Sequence, residues 1–333
     1  MRRLLCSLAA LLLLAVPLGA PAGAASAPQV VARGLVQPWG LALLPDGSAL
    51  VTERNSRRIW EVRPGRAARV IYTVREAVSA GEGGLLGIAV GPDYARDRRV
   101  YLYFTTGTDN RIAYVVRGSA ARPRVVLRGI PAGRTHDGGR LLFGPDGTLY
   151  AGTGDAGVPA RSQDRRNLGG KVLRMTKDGG VPAGSPFGTV VHSYGHRNVQ
   201  GLAFDAAGRL WASELGQNRY DEVNLVVRGG NYGWPVVEGR SADRRFRGPA
   251  HVWRPSEASP SGMGFSGGAL HVAALRGQRL WRLDLSGTRV TRSSASYVGS
   301  FGRLRTAQHA RDGSLWLLTA NGSGDRVLRI ARP

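Results

Sequence analysis

Apolar runs of strand length, broken by turns rich in Pro, Asp and Gly, dominate the chain, and helical periodicity over a full window is hard to find. One phrase recurs: an apolar strand, a Pro-Asp-Gly-like turn and a second apolar strand. Clear copies open at Trp39-Gly40-Leu41-Ala42 with Pro45-Asp46-Gly47, and at Gly84-Leu85-Leu86-Gly87 with Pro92-Asp93. Two more are Gly139-Arg140-Leu141-Leu142-Phe143 with Pro145-Asp146-Gly147, and Gln200-Gly201-Leu202-Ala203-Phe204 with Ala207-Gly208. Weaker copies are Gly267-Gly268-Ala269-Leu270-His271-Val272 with Arg276-Gly277, and Thr306-Ala307-Gln308-His309 with Arg311-Asp312-Gly313.

Proline presets the first central turn position and glycine supplies positive φ, so these turns join antiparallel neighbours into hairpins. The copies are roughly 40 to 65 residues apart, the span of one four-stranded blade with its loops. The expected fold is all-β, a six-bladed propeller of four-stranded antiparallel blades over residues 28–333. Two stacked β-sandwiches would also use short strands, but they do not explain six copies of one phrase. Radial closure creates a central axis, and function is expected where loops of one face converge on it.

Residues 1–27 stand apart from this pattern. Arg2 and Arg3 give a positive start, Leu4 to Leu18 is apolar but for Ser7 and Pro17, and Ala22-Gly23-Ala24 offers a small-residue cleavage site. This reads as a secretory signal peptide and predicts a secreted, extracytoplasmic product. No later segment has the apolar length of a transmembrane helix. The one cysteine, Cys6, falls in the leader, which excludes a disulfide scaffold and cysteine-ligated metals.

The chain carries a net charge of +23, from 46 Lys and Arg against 23 Asp and Glu. Its arginines are spread singly or in pairs, with lysine only at 171 and 177, and no basic run is interleaved with aromatics. That distribution argues against a nucleic-acid partner and for a solvated basic surface.

His136 leads the candidates for chemistry. It lies in the loop Thr135-His136-Asp137-Gly138-Gly139-Arg140 just ahead of an inner strand, and imidazole suits a general base for a hydroxyl near neutral pH. Tyr194-Gly195-His196-Arg197-Asn198 stands at the corresponding point of the next blade, Arg303 and Arg305 at that of the sixth, and Arg276 in a loop of the fifth. Cations converging on one funnel repel unless an anion fills the gap, and guanidinium forks match carboxylates. The stretch Glu214 to Glu222, with Gly229-Gly230-Asn231-Tyr232-Gly233-Trp234-Pro235, combines oxygen ligands with bent backbone of the kind calcium accepts, though without EF-hand spacing. Gly152-Thr153-Gly154-Asp155-Ala156-Gly157 matches a dinucleotide fingerprint and Gly264-Phe265-Ser266-Gly267-Gly268 a nucleophile elbow. Neither opens a helix, so both read as glycine-rich turns.

Taken in order, Gln37-Pro38-Trp39-Gly40, Gly81-Glu82-Gly83-Gly84-Leu85-Leu86-Gly87, His136-Asp137-Gly138-Gly139-Arg140, Gly195-His196-Arg197-Asn198-Val199-Gln200-Gly201, Gly216-Gln217-Asn218 and Gly230-Asn231-Tyr232-Gly233-Trp234-Pro235 resemble the secreted sugar dehydrogenases that use pyrroloquinoline quinone (PQQ), the glucose, sorbosone and aldose dehydrogenase family. The resemblance spans Gln37 to about Ile330. It implies a six-bladed propeller with PQQ in the funnel over a calcium ion. His136 would then take the proton of the sugar's anomeric hydroxyl as hydride passes to the quinone. Arg197 and Asn198 would bind the quinone side, Arg303 and Arg305 the carboxylates, Arg276 would stand where the family often has Lys, and Ser256 would fall near a hydroxyl clamp. The carbonyls of Gly216 and Gln217 would hold the cofactor's calcium, and Glu222 and Tyr232 would lie at a second, structural one. Glu82 stands where some members carry Gln, which adds a carboxylate beside the bound anion.

The expected activity is therefore oxidation of aldoses to lactones, with electrons passed to an external acceptor. The alternatives are a calcium-dependent propeller lactonase, in which His136 or a carboxylate activates water, and a non-catalytic propeller that binds an envelope polyanion. The sequence leaves open the sugar, the acceptor, and whether the chain is a monomer or a dimer.

Overall fold

The computed structural model describes residues 27–331; the leader-like segment and Cys6 lie outside the described residues. Six four-stranded antiparallel sheets surround one axis. Strand β1 (Gln29–Leu35) precedes the first complete blade, β2 (Pro38–Leu43), β3 (Ala49–Glu53), β4 (Arg58–Arg63) and β5 (Arg66–Thr73). The second is β6 (Leu85–Val90), β7 (Arg99–Thr105), β8 (Asn110–Val116) and β9 (Arg124–Ile130), with a one-turn helix α1 (Tyr94–Asp97) between β6 and β7. The third is β10 (Arg140–Phe143), β11 (Leu149–Gly152), β12 (Lys171–Met175) and β13 (Val191–Tyr194). The fourth is β14 (Val199–Phe204), β15 (Leu210–Glu214), β16 (Asp221–Val226) and β17 (His251–Trp253), and the fifth β18 (Pro260–Ser266), β19 (Ala269–Ala274), β20 (Arg279–Ser286) and β21 (Arg289–Ser296). The sixth holds β22 (Leu304–His309), β23 (Leu315–Thr319) and β24 (Asp325–Ile330), and β1 completes it as the outer strand by pairing with β24 from Gln29↔Arg329 to Leu35↔Asp325. The first and last strands thus share one sheet, which closes the ring and leaves no unpaired seam between first and last blades.

The recurrent turn has a definite chemistry. Asp46 Oδ1 accepts from the Ser48 amide at 3.1 Å and Gly47 sits at φ +77°. Asp146 with Thr148 and Asp312 with Ser314 repeat the arrangement, at 3.0 and 2.9 Å. In each case an arginine from the third strand of the same blade reaches the turn carboxylate: Arg63, Arg174 and Arg329. Such exposed pairs contribute only about 0–1 kcal/mol each, but they give part of the arginine excess a structural role.

Between blades, the middle strands bury continuous apolar clusters, among them Leu85, Leu102 and Phe104 with Leu50 and Ile59 across the first interface. The structure corrects one repeat assignment. The fifth inner strand is Pro260–Ser266, and the phrase read at Gly267 to Val272 is the following turn plus β19. That inner strand carries Gly262 and Gly264 toward the crowded axis, where a Cβ on Gly262 would stand 2.7 Å from Arg140 Nη2. Steric demand has erased the apolar pattern there.

Candidate active site

Loops that lead into the inner strands, together with the turns between second and third strands, share one face of the ring. His136 lies there between β9 and β10, with its backbone in the left-handed region at φ +60°, followed by Gly138 and Gly139 at +64° and +112°. A non-glycine residue held there is strained, and strain of this kind gathers at functional sites. What holds it is visible: Glu82 Oε2 accepts the His136 amide at 2.7 Å, and Asn198 Oδ1 accepts the Gly138 amide at 3.1 Å.

The imidazole is oriented by a residue that the sequence reading set aside as part of a glycine-rich turn. His136 Nδ1 lies 2.7 Å from Asp155 Oδ1. Asp155 is fully buried, its Oδ2 accepts from Trp234 Nε1 at 2.8 Å, and Oδ1 also accepts the Gly157 amide at 2.8 Å. Burial pushes the Asp155 carboxyl up, but hydrogen bonds from His136 and Trp234 outweigh it and hold the group below the usual carboxylate range. An ionised carboxylate only accepts, so Nδ1 donates, and the lone pair of the neutral ring is left on Nε2. The glycines around Asp155 serve close approach: a Cβ on Gly154 would stand 1.9 Å from the His136 carbonyl oxygen.

Arg197 lies beside this pair. Its amide donates to Glu214 Oε2 at 2.9 Å, its Nη1 donates to the Leu215 carbonyl at 3.1 Å, and its guanidinium contacts Gln217 Oε1 and stands 5.5 Å from the Trp234 ring centre. Asn198 and Gln200 continue inward, with Gln200 Nε2 donating to Asn198 Oδ1 and Gln200 Oε1 accepting from Arg305 Nη1 at 2.9 Å. One hydrogen-bonded chain therefore runs from the His136 loop to Arg305.

Arg303 and Arg305 line a cavity of about 230 Å³ with Trp39, Asn321 and a further cation, Arg54. Arg54 was not singled out from the sequence, although it directly follows β3 on the functional face. The side-chain hydrogen bonds of Arg54 and Arg305 go to neutral groups, Gln37, Asn55, Gln200 and Ser261. Burial first, then Arg54 and Arg303, pushes Arg305 down to about 9. Ser256 and Arg276 are exposed, in the loops between β17 and β18 and between β19 and β20 on this same face.

The Gly216 loop is built around Glu238, whose Oε1 accepts the amides of Gln217, Asn218, Arg219 and Tyr220 at 2.7, 2.9, 2.9 and 3.2 Å. Across a trans peptide C=O and N–H are antiparallel, so the Gly216 and Gln217 carbonyls are turned away from Glu238. Neither accepts a backbone hydrogen bond among the described residues. A side chain at 216 is impossible, since its Cβ would fall 1.7 Å from the Tyr220 carbonyl oxygen. Two adjacent, unspent carbonyls suit a hard cation.

Glu222 lies deeper, where burial and then the neighbouring Glu214 push its carboxyl up to about 8, and Asn224 Nδ2 bridges Glu214 and Glu222 at 2.8 and 3.0 Å. Asn224 Oδ1 is buried without a partner. Tyr232 stacks on His196 with ring centres 4.5 Å apart, and His196 donates toward Glu214 at 2.9 Å. The Tyr232 hydroxyl is occupied by the Leu225 carbonyl and the Val227 amide, which leaves its backbone carbonyl as the atom it can offer a metal. Among the described residues there is no cluster of three or more His, Cys, Asp or Glu suited to a metal, so a cation here would draw most of its ligands from carbonyl and amide oxygens. No helix among them is long and apolar enough to cross a membrane.

A profile of the glucose/sorbosone dehydrogenase family matches residues 35–329. The chain is 30% identical to aldose sugar dehydrogenase YliI of Escherichia coli strain K12, over 91% of this chain and 92% of that protein. It is 35% identical to quinoprotein glucose dehydrogenase B of Acinetobacter calcoaceticus, over 66% of this chain and 54% of that one. Its fold matches the PQQ-bound form of an aldose sugar dehydrogenase from Streptomyces coelicolor with a TM-score of 0.88, at 48% identity over 90% of this chain and 96% of the other.

Proposed function

The chain belongs to the glucose/sorbosone dehydrogenase family, and from that premise we propose that it is a PQQ- and calcium-dependent enzyme oxidising the anomeric carbon of aldoses to lactones. The observation that carries the reading is one constellation on one face: a histidine base fixed by a buried carboxylate, joined through Asn198 and Gln200 to guanidinium groups that have no carboxylate partner among the described residues.

PQQ is a flat tricarboxylate, and the donors present fit it. Arg54, Arg303 and Arg305 would bind its carboxylates, Arg197 and Asn198 its quinone side, and Ser256 and Arg276 the outer rim. The Gly216 and Gln217 carbonyls would hold the calcium beside it, and Glu222 with the Tyr232 carbonyl a second, structural calcium. When bound, PQQ with its calcium supplies an electrophilic quinone that accepts the hydride of the sugar. The remaining work belongs to this chain. His136 Nε2 takes the proton of the anomeric hydroxyl, a contribution of about 10²- to 10⁴-fold for general base catalysis. Asp155 keeps the ring in the required tautomer and stabilises the imidazolium that forms. Glu82 acts on the backbone of His136 and fixes the left-handed turn that aims the ring. The leader read over residues 1–27 goes with export, and an external acceptor would then take up the electrons.

Reconstitution of the purified chain with PQQ and calcium, followed by dye reduction with a panel of aldoses, tests the reading. Turnover that needs both additions and falls by about 10²-fold or more in His136→Ala supports it. Cleavage of lactones without PQQ would instead indicate a hydrolase. Binding of a polyanion that is indifferent to His136→Ala, with no turnover, would indicate a non-catalytic propeller.

A further inference from the structure

The axial channel is divided in two by a stack of side chains. Trp39 packs against two guanidinium groups, with Arg140 Cζ 4.5 Å and Arg305 Cζ 5.7 Å from its ring centre; Arg140 lines the larger cavity and Arg305 the smaller. Above the stack is the cavity of Arg303 and Arg305. Below it opens a larger one, of about 1210 Å³, lined by all six inner strands and reaching the opposite face of the ring.

The walls of the lower cavity repeat with the fold. At its mouth Leu43, Val90, Phe143, Phe204, Phe265 and His309, one from each inner strand, are all half-buried. His309 bonds to His271 at 2.9 Å, and burial pushes both imidazoles down, to about 4 and about 3, so that this part of the wall is uncharged. The rim carboxylates Asp205 and Asp312 are each paired, with Arg209 and Arg329. The inner end is different. Arg140 is only 6% exposed and spans the channel, donating from Nε to the Gln200 carbonyl at 2.8 Å and from Nη2 to Thr306 Oγ1 at 3.3 Å. Among the described residues its hydrogen bonds are these two, and it forms no ion pair with a carboxylate. Burial, and then Arg305, push its pKa down to about 9.

A cation this deep without a counter-charge is costly, and a half-buried apolar ring around a wide cavity leaves hydrophobic surface in contact with water. One kind of ligand relieves both. We propose that the lower cavity is a second binding site, for a small carboxylate with an apolar aromatic or medium-chain aliphatic body, its charge on Arg140 and its body against the ring of Phe143, Phe204 and Phe265. An inorganic anion would leave the ring wet, and a neutral apolar molecule would leave Arg140 unbalanced. The site faces away from His136 and does not depend on the reaction proposed there.

Isothermal titration of the full chain with 4-phenylbutyrate, and with 4-phenyl-1-butanol as its neutral counterpart, tests this, with and without PQQ and calcium. One carboxylate is expected to bind per chain, about tenfold or more tighter than the alcohol, with the affinity falling by a similar factor in Arg140→Gln. Phe204→Glu, at the accessible mouth, carries the test if Arg140→Gln does not fold, and it should weaken the carboxylate to the same degree. Arg303→Gln, above the stack, should leave binding as it was. The proposal is overturned by no binding, by equal affinity for acid and alcohol, by displacement of the probe by PQQ, or by a loss in Arg303→Gln that Phe204→Glu does not share.

Discussion

Asp155, nineteen positions beyond His136 in the chain, places its Oδ1 2.7 Å from the Nδ1 of that histidine while its Oδ2 is held by the Trp234 indole. The carboxylate is fixed at both oxygens, so the ring it orients has one tautomer and one direction. Asp155→Asn keeps an acceptor but introduces an amide that can present its donor face to the ring. In the reconstituted enzyme kcat is expected to fall by about 10²- to 10⁴-fold with a much smaller change in KM. Unchanged kcat would mean that the pair only supports the loop.

Arg305 illustrates a cost of the site. It is crowded by Arg54 and Arg303 and bonded only to neutral groups. Arg305→Met should stabilise the chain without cofactor, by about 1–3 kcal/mol in urea unfolding, while weakening PQQ about tenfold or more in a fluorescence titration. A variant less stable than the parent would show that the repulsion is already relieved.

The Asp137 carboxyl governs a pH effect. It is buried, its Oδ2 has no partner, and burial pushes it up to about 6 despite hydrogen bonds from Asn110 and Gly133. Unfolded, it ionises near 4. The native state therefore binds the extra proton between those values, and stability falls as pH rises through the window and levels off above it. Asp137→Asn should remove about 2–3 kcal/mol of that fall, read by urea midpoints across the same range.

Gly154 tests whether the glycine-rich stretch after β11 is spacing or chance. Gly154→Ala drives a Cβ to 1.9 Å from the His136 carbonyl oxygen. It should cost about 1–3 kcal/mol of stability and displace His136 enough to lower kcat even where the protein remains folded. Thermal unfolding paired with dye reduction separates the two effects.

The sequence by itself determined the architecture, because strand length and turn chemistry are local. Pro45-Asp46-Gly47 and Pro145-Asp146-Gly147 announce their hairpins in three letters, and six repeats leave few ways to close. It also pointed to His136, Arg197 and Arg303, since loops just ahead of inner strands must face the axis, and to Arg305, which lies one residue inside β22. The fifth inner strand escaped because Gly262 yields its side-chain space to Arg140 and Gly264 to the backbone of β22 at Gln308 and His309, so no apolar pattern marks it. Only the tertiary structure decided which distant groups meet: Asp155 with His136, Arg54 with Arg303 and Arg305, and Trp39 with Arg140 and Arg305. Radial closure brings together residues hundreds of positions apart, as in the bond from Thr306 to the Trp39 carbonyl across 267 positions. Nothing in local propensity or spacing encodes such a pair; it is set by the radius of the closed ring and by what its axis can hold.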